Sequence, residues 1–344
     1  MNQIHPIILC GGTGMRLWPR SRKALPKPFL PLVGEQTLFA ATLARCADRA
    51  RFAPPIVVTG SAHHPHVAAQ AGDVPGMRVV LEPEGKSTAA AIALAAALLP
   101  PDAIMLVCPS DHHIADVPAF HAAIAAGARL ADQGWLVALG IEATTPETGY
   151  GYILRGDPLD GGYRIRRFVE KPDLATARAF LDSGDYSWNG GIFMFQAGLF
   201  LDELARHRPP IAAGIQAAIA FGHERDAVFH PDPVSFAGIT AESVDYAVME
   251  ETDRAAMVPA DMGWSDIGNW RALRDARAGD ADGNSARGAV ELLDCRNVLA
   301  ETDGHRISIV GLENIAVVVS GGEVLVTSMD GAHKVGTLSG ASRQ

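Results

Sequence analysis

A short apolar run, Pro6 to Cys10, empties directly into Gly11-Gly12-Thr13-Gly14-Met15-Arg16-Leu17, and Pro26-Lys27-Pro28-Phe29 follows soon after. The apolar run reads as a buried strand. Glycines at the end of a strand let backbone N–H groups approach an anion closely. Arg16, Arg20, Arg22, Lys23 and Lys27 then crowd positive charge into a dozen residues of a chain whose net charge is -10. A strand, a glycine turn and a local cationic cluster together are the parts of a phosphate-binding loop. The common glycine fingerprints do not fit. A dinucleotide loop needs glycine where Leu17 stands, and a P-loop needs Gly-Lys-Ser/Thr where the chain has Gly14-Met15-Arg16. Gly85-Lys86-Ser87 has a P-loop ending, but Val80 occupies the position of the required earlier glycine.

Bulk properties narrow the class. A chain of 344 residues suits one large domain, or a large domain with a small appendage. A pI near 5.6 argues against a general nucleic-acid binder, which would present a basic face. Cys10, Cys46, Cys108 and Cys295 form no Cys-x-x-Cys pair and read as buried free thiols, which suits a reducing cytoplasm. The first strand begins almost at once without a basic n-region, so no signal peptide is expected. The longest apolar stretch, Ala89 to Leu99, is too short to span a bilayer and reads as a core helix.

Strand-like runs at 6–10, 56–59, 78–81, 104–108 and 136–141 alternate with helical patterns at 38–49, 64–71, 88–99 and 119–131. This alternation predicts an α/β fold, Rossmann-like, with a mostly parallel sheet and helices on both faces. Ligands in such sheets sit at the carboxyl ends of strands, where the Gly11 loop and Pro109-Ser110-Asp111 fall. A second stretch of mixed strands and helices, Tyr150 to Arg277, completes one large domain over 1–278. Gly279 to Asn284 reads as a polar linker. Short strands beyond it, with turn signals at Asp303-Gly304 and Gly321-Gly322, predict a small C-terminal all-β domain over 285–335.

Two acids stand out. Asp111 follows a strand in Pro-Ser-Asp-His-His, and Asp266 lies in Gly263-Trp264-Ser265-Asp266-Ile267-Gly268-Asn269-Trp270. Asp111, at a strand's carboxyl end, suits either a helix cap or a carboxylate holding Mg²⁺ on a polyphosphate, and Asp266 suits a cap for a helix starting near Asn269. The histidines at 112–113 and at 63, 64 and 66 lack a transition-metal spacing; the latter three are expected on an exposed helix start. Ser87 is a candidate N-cap for the Ala-rich helix.

The stretch from Leu9 to Leu30 resembles the opening signature of sugar-1-phosphate nucleotidyltransferases. Its Trp18-Pro19 and Ser21-Arg22 details resemble the mannose-1-phosphate guanylyltransferase branch. The resemblance runs from about residue 5 to 335 with several motifs in order. It implies nucleotide binding by Gly11, Gly12, Gly14, Glu82, Lys86 and Ser87, with Arg16 and Lys27 as the catalytic cations. It implies Mg²⁺ ligation by Asp111 and Asp266. It implies sugar-phosphate binding by Gly149, Glu170, Lys171 and Asn189. Glu82 would accept hydrogen bonds from guanine N1–H and the 2-amino group, a pattern adenine cannot offer. The chain departs from the family pattern at Arg20, Pro28, Lys86, Ser87, Gly190 and Glu251, the last of which stands where Lys is common.

The implied reaction is GTP plus α-D-mannose 1-phosphate giving GDP-mannose and pyrophosphate, in the cytoplasm, with no nucleic-acid or membrane partner. Apolar C-terminal strands leave room for a homodimer. Longer members of the resembled family add an isomerase domain; none is expected in these 344 residues. Three alternatives stay open: another sugar 1-phosphate or NTP, a catalytically idle nucleotide-sugar-binding subunit, and a glycosyltransferase using Asp280-Ala281-Asp282.

Overall fold

The computed structural model describes residues 3–12 and 14–342; Thr13 of the glycine run lies outside them. The fold is α/β, and the chain divides into two compact units. The first comprises residues up to 11, 42–110 and 114–264, and the second comprises 12–41, 111–113 and 265 onward.

The first unit is built on strands β1 (His5–Cys10), β2 (Ile56–Gly60), β3 (Arg78–Glu82) and β4 (Ile104–Pro109). After the short β5 (His113–Ile114) come β6 (Leu136–Glu142), β7 (Tyr152–Leu159), β8 (Gly162–Val169), β9 (Tyr186–Gln196), β10 (His223–Arg225), β11 (Val228–His230) and β12 (Ala255–Pro259). Among the described residues these strands, β5 apart, form an 11-stranded sheet in the order β10-β11-β3-β2-β1-β4-β9-β6-β12-β8-β7. It is parallel from β11 to β4 and again between β6 and β12. β9 enters antiparallel between β4 and β6, and β7 and β8 form an antiparallel pair.

Alternate residues of each central strand feed opposite cores, as the period of two requires. Met105 and Val107 of β4 join one cluster, and Ile104, Leu106 and Cys108 join the other. Helices cover both faces because both are apolar. The first cluster takes residues of α3 (Ser87–Ala96), α6 (Ala197–His207) and α7 (Pro209–Ala220); the second takes residues of α4 (Val117–Asp132) and α5 (Leu174–Ser183). α3 is buried along nearly its whole length, which suits its Ala-rich sequence. No helix among the described residues is long and apolar enough to cross a membrane. All four cysteines are buried, and none is in a disulfide.

The second unit holds the residues after the glycine loop together with the C-terminal strands. Strands β14 (Ser285–Arg287), β16 (Leu299–Thr302), β18 (Ile315–Ser320) and β19 (Glu323–Ser328) make a four-stranded sheet, and β15 (Val290–Leu293) pairs with β17 (Ile307–Val310). All these pairings are parallel except β18 with β19. Gly321-Gly322 closes the expected hairpin, with Ser320 opposite Glu323. Asp303-Gly304 instead turns a corner from one sheet to the other. Leu17, Trp18, Leu30 and Leu32 share one buried cluster with Leu299, Ala316, Val318 and Leu325. The compact units therefore interleave in sequence, whereas a division at 278/285 runs straight along the chain. Asp280 accepts backbone bonds from Asp282 and Asn284, so Asp280-Ala281-Asp282 is a closed turn.

Candidate functional site

In the second unit Lys27 lies in a one-turn 3-10 helix, Lys27–Phe29. Pro26 and Pro28 bracket it and fix the local backbone, which gives the departure at Pro28 a rigidifying role. Lys27 is only 5% exposed. Its ammonium donates to Asp111 Oδ2 at 2.8 Å and to the Asp266 backbone carbonyl. Gly14, in left-handed conformation, makes room: a Cβ there would lie 2.5 Å from Lys27 Cβ. Burial opposes ionisation of Asp111, but Lys27, His112 and hydrogen bonds outweigh it and hold the carboxyl below its usual range.

The capping roles that sequence left open for the two acids are filled by other residues. Asp116 caps α4, accepting from the Ala119 amide at 2.9 Å. Asn269 caps α9 (Trp270–Ala276), accepting from the Ala272 amide at 3.1 Å. Asp266 Oδ1 accepts from the Gly268 amide at 2.9 Å. Between them Ile267 is held at φ 44°, unusual for a β-branched residue, with its side chain fully buried beside Leu17, Trp18 and Trp270. The core thus pins the turn that aims the Asp266 carbonyl at Lys27.

Asp111 and Asp266 are hard oxygen donors, and two such carboxylates suit Mg²⁺, which binds one or two protein carboxylates and completes its shell with phosphate and water. No group of three or more His, Cys, Asp or Glu among the described residues is placed to hold a metal. Of the expected nucleotide-loop residues, Gly11 and Gly12 are exposed, and a Cβ at either would meet nothing within 4 Å. Arg16 is exposed, its stem packed over Gly336.

In the first unit Glu170, Lys171 and Asn189 come together with Asp245, which sequence reasoning missed. Asn189 Nδ2 donates to Asp245 Oδ1 at 2.8 Å, and Lys171 Nζ donates to Glu170. Burial and the neighbouring Glu170 push the Asp245 carboxyl up to about 6. Burial opposes the Lys171 charge, but Glu170 and Asp245 hold its ammonium above the ordinary value. Asp245 begins a π-helical turn, Asp245–Met249, a winding often found at functional positions. No spacing in the sequence signals it. Gly149 is exposed, with nothing near a Cβ placed on it; the tightly packed glycine is Gly151, where a Cβ would lie 2.6 Å from Glu170 Oε2. The Gly151 carbonyl accepts from the Asn189 amide at 2.8 Å. At Gly190 a Cβ would lie 3.0 Å from the Leu139 carbonyl and 3.2 Å from Ile141 Cγ1, so a side chain there would need β6 to shift by a few tenths of an ångström.

Glu82 ends β3, and burial raises its carboxyl to about 7. Its Oε1 is buried without a hydrogen-bond partner among the described residues. Lys86 is paired with Glu84 at 3.0 Å and donates to the Ala237 carbonyl at 2.8 Å. Ser87 is the first residue of α3 rather than its N-cap, at φ 65°. The Glu242 carbonyl instead accepts from the Ala89 amide near the helix start. His63, expected on an exposed helix start, is buried with Nδ1 3.2 Å from the carbonyl of Cys10, the last residue of β1.

Residues 5–283 match the nucleotidyl transferase family. The chain belongs to that family. It is 46% identical over 343 residues to the xanthan biosynthesis protein XanB of Xanthomonas campestris, covering 97% of this chain and 72% of that one. It is 40% identical to the mannose-1-phosphate guanylyltransferase of Klebsiella pneumoniae, over 96% of this chain and 72% of that one. Among solved structures, a Thermus thermophilus protein described as a mannose-1-phosphate geranyltransferase superposes with a TM-score of 0.88 at 33% identity, over 99% of this chain and all of that one. This nucleotidyltransferase is therefore an enzyme with an α/β fold of that kind. Its glycine loop and two acid-bearing clusters are the places to seek its chemistry.

Proposed function

We propose that this nucleotidyltransferase moves GMP from GTP to α-D-mannose 1-phosphate, forming GDP-mannose and releasing pyrophosphate. The observation that carries the reading is Lys27, bracketed by prolines and bonded to Asp111 and the Asp266 carbonyl, while Asp116 and Asn269 take the caps. The names of the relatives supply the sugar and the base.

The sugar phosphate is its own nucleophile. A phosphate monoester is largely ionised at neutral pH, with its second pKa near ~6, so no general base is required. The difficulty is bringing two polyanions together. The open backbone of Gly11 and Gly12 receives triphosphate oxygens, and Arg16 and Lys27 supply fixed positive charge. Mg²⁺, held by Asp111 and Asp266, would neutralise phosphate charge when bound. Glu82, at the end of β3, accepts from the guanine edge with its carboxylate. Glu170, Asn189 and Asp245 take sugar hydroxyls, and Lys171 meets the sugar's phosphate.

The test is to incubate the purified chain with GTP, mannose 1-phosphate and Mg²⁺ and identify the product by mass. GDP-mannose with stoichiometric pyrophosphate is expected. A product formed only from another NTP or sugar 1-phosphate would move the substrate, and Lys86, committed to Glu84 and Ala237, would be the first residue to re-examine.

A further inference from the structure

Within the first unit, stretch 237–251 is tied at one end to the base-side turn and at the other to the sugar-side carboxylates. Lys86 Nζ donates to the Ala237 carbonyl at 2.8 Å, and the Ala89 amide donates to the Glu242 carbonyl at 3.2 Å. The Val244 amide donates to Thr88 Oγ1 at 2.8 Å. The next residue is Asp245, which accepts from Asn189 at 2.8 Å. Five residues on, Glu250 Oε1 accepts from the Glu170 amide at 3.1 Å.

Arg208 braces the same stretch. Its Nε donates to both carboxylate oxygens of Glu242, at 2.9 and 3.0 Å, and its Nη2 donates to the Tyr246 carbonyl at 2.9 Å. Glu251 stands 3.5 Å from the same guanidinium. The acid at 251, where the resembled family commonly has Lys, is therefore paired with a cation in this chain. A π-turn is a rare winding that persists where its surroundings favour it. Thr88 and Arg208 bond to the residues immediately on either side of Asp245.

We propose that Thr88 and Arg208 are positioning residues that set the Asp245 carboxylate for a sugar hydroxyl and couple nucleotide binding to sugar-phosphate binding. The inference rests on the guanylyltransferase reading above. A base seated at Glu82 orders the turn 82–88. Thr88 Oγ1 passes that order to Val244, and so to Asp245. Arg208 fixes the far side, so that the ordering moves Asp245 rather than dissipating in the stretch.

The experiment is calorimetric binding of mannose 1-phosphate to the full chain, with and without a non-hydrolysable GTP analogue, alongside turnover with GTP. In the wild type the analogue should tighten sugar-phosphate binding roughly fivefold or more, the lower end of ordinary coupling between sites. Thr88→Val keeps the shape and removes the acceptor. It should abolish that tightening and raise KM for mannose 1-phosphate about tenfold, the scale of one lost hydrogen bond, and leave binding of the GTP analogue in the absence of sugar phosphate within about twofold. Thr88→Ser should restore both. Arg208→Gln is the second variant and should likewise weaken sugar-phosphate binding in the presence of the analogue more than it weakens binding of the analogue alone. Retained coupling in Thr88→Val and Arg208→Gln would overturn the inference, as would an equal weakening of analogue binding measured without sugar phosphate. A wild type without turnover of GTP and mannose 1-phosphate would overturn the functional reading and this inference together; an active wild type with unmoved variants would overturn this inference alone.

Discussion

The Lys27 ammonium stands 2.8 Å from an Asp111 carboxylate oxygen, and the same ammonium donates to the backbone carbonyl of Asp266. One compact cation thus joins the two acids that the family resemblance singles out. Lys27→Ala should lower kcat by about 10²–10³, the usual cost of losing one preorganised charged contact. Lys27→Arg should not rescue it, because a planar guanidinium cannot take the place of a compact ammonium in so buried a setting. Steady-state turnover decides this, and near wild-type rates in Lys27→Ala would remove Lys27 from the mechanism.

Glu82 predicts a pH dependence. Its carboxyl is raised from 4.5 to about 7 by burial. Because the folded value is the higher, its contribution to stability is full below the unfolded value and is lost as pH rises through about 7. The melting temperature of the wild type should therefore fall relative to Glu82→Gln as pH rises through that window. Accepting from guanine needs the ionised form, so KM for GTP should improve as pH rises through about 7, and Glu82→Gln should flatten that profile. A wild-type KM indifferent to pH over this range would separate Glu82 from the base.

The C-terminal strands supply another prediction. Leu17, Trp18, Leu30 and Leu32 are buried with Leu299, Ala316, Val318 and Leu325. Arg20 and Arg277 both pair with the buried Glu301 carboxylate, at 3.2 and 2.8 Å. Ending the chain after Ala278 would bare the apolar side chains around the glycine loop. Such a fragment should be insoluble or inactive. A soluble, fully active 1–278 fragment would make 285–335 the separate small domain that the sequence suggests.

Ser87 sits at φ 65°, a left-handed conformation that costs an L-residue other than Asn, Asp or Gly about 1–2 kcal/mol. Asn tolerates it. Ser87→Asn should raise the unfolding free energy by about 0.5–1 kcal/mol in denaturant titrations. A loss of stability would show that the local surroundings favour the serine.

Much of the frame was legible because apolar runs are local signals. β4 and β6 follow their predicted runs within a residue or two, since alternate side chains feed two cores. The two acids were legible as positions, but their capping alternatives were not settled until Asp116 and Asn269 were found in those roles. Asp245 was hidden for two reasons. Its partner Asn189 lies 56 residues away, and residues 244–250 read from sequence as an ordinary helix, with nothing to distinguish a π-turn. Gly149 and Gly151 look equivalent in sequence, and only the packing of Glu170 and Asn189 distinguishes them. The turn dipeptides Asp303-Gly304 and Gly321-Gly322 are equally ambiguous: strand pairing, a long-range property, makes one a corner and the other a hairpin.

The most direct measurement is pyrophosphate release by the purified chain across GTP, ATP, UTP, CTP and dTTP, each with mannose 1-phosphate and with glucose 1-phosphate. A strong signal is expected with GTP and mannose 1-phosphate alone, abolished by EDTA. Strong turnover with a different pair, or silence from folded protein in every combination, would contradict the guanylyltransferase reading.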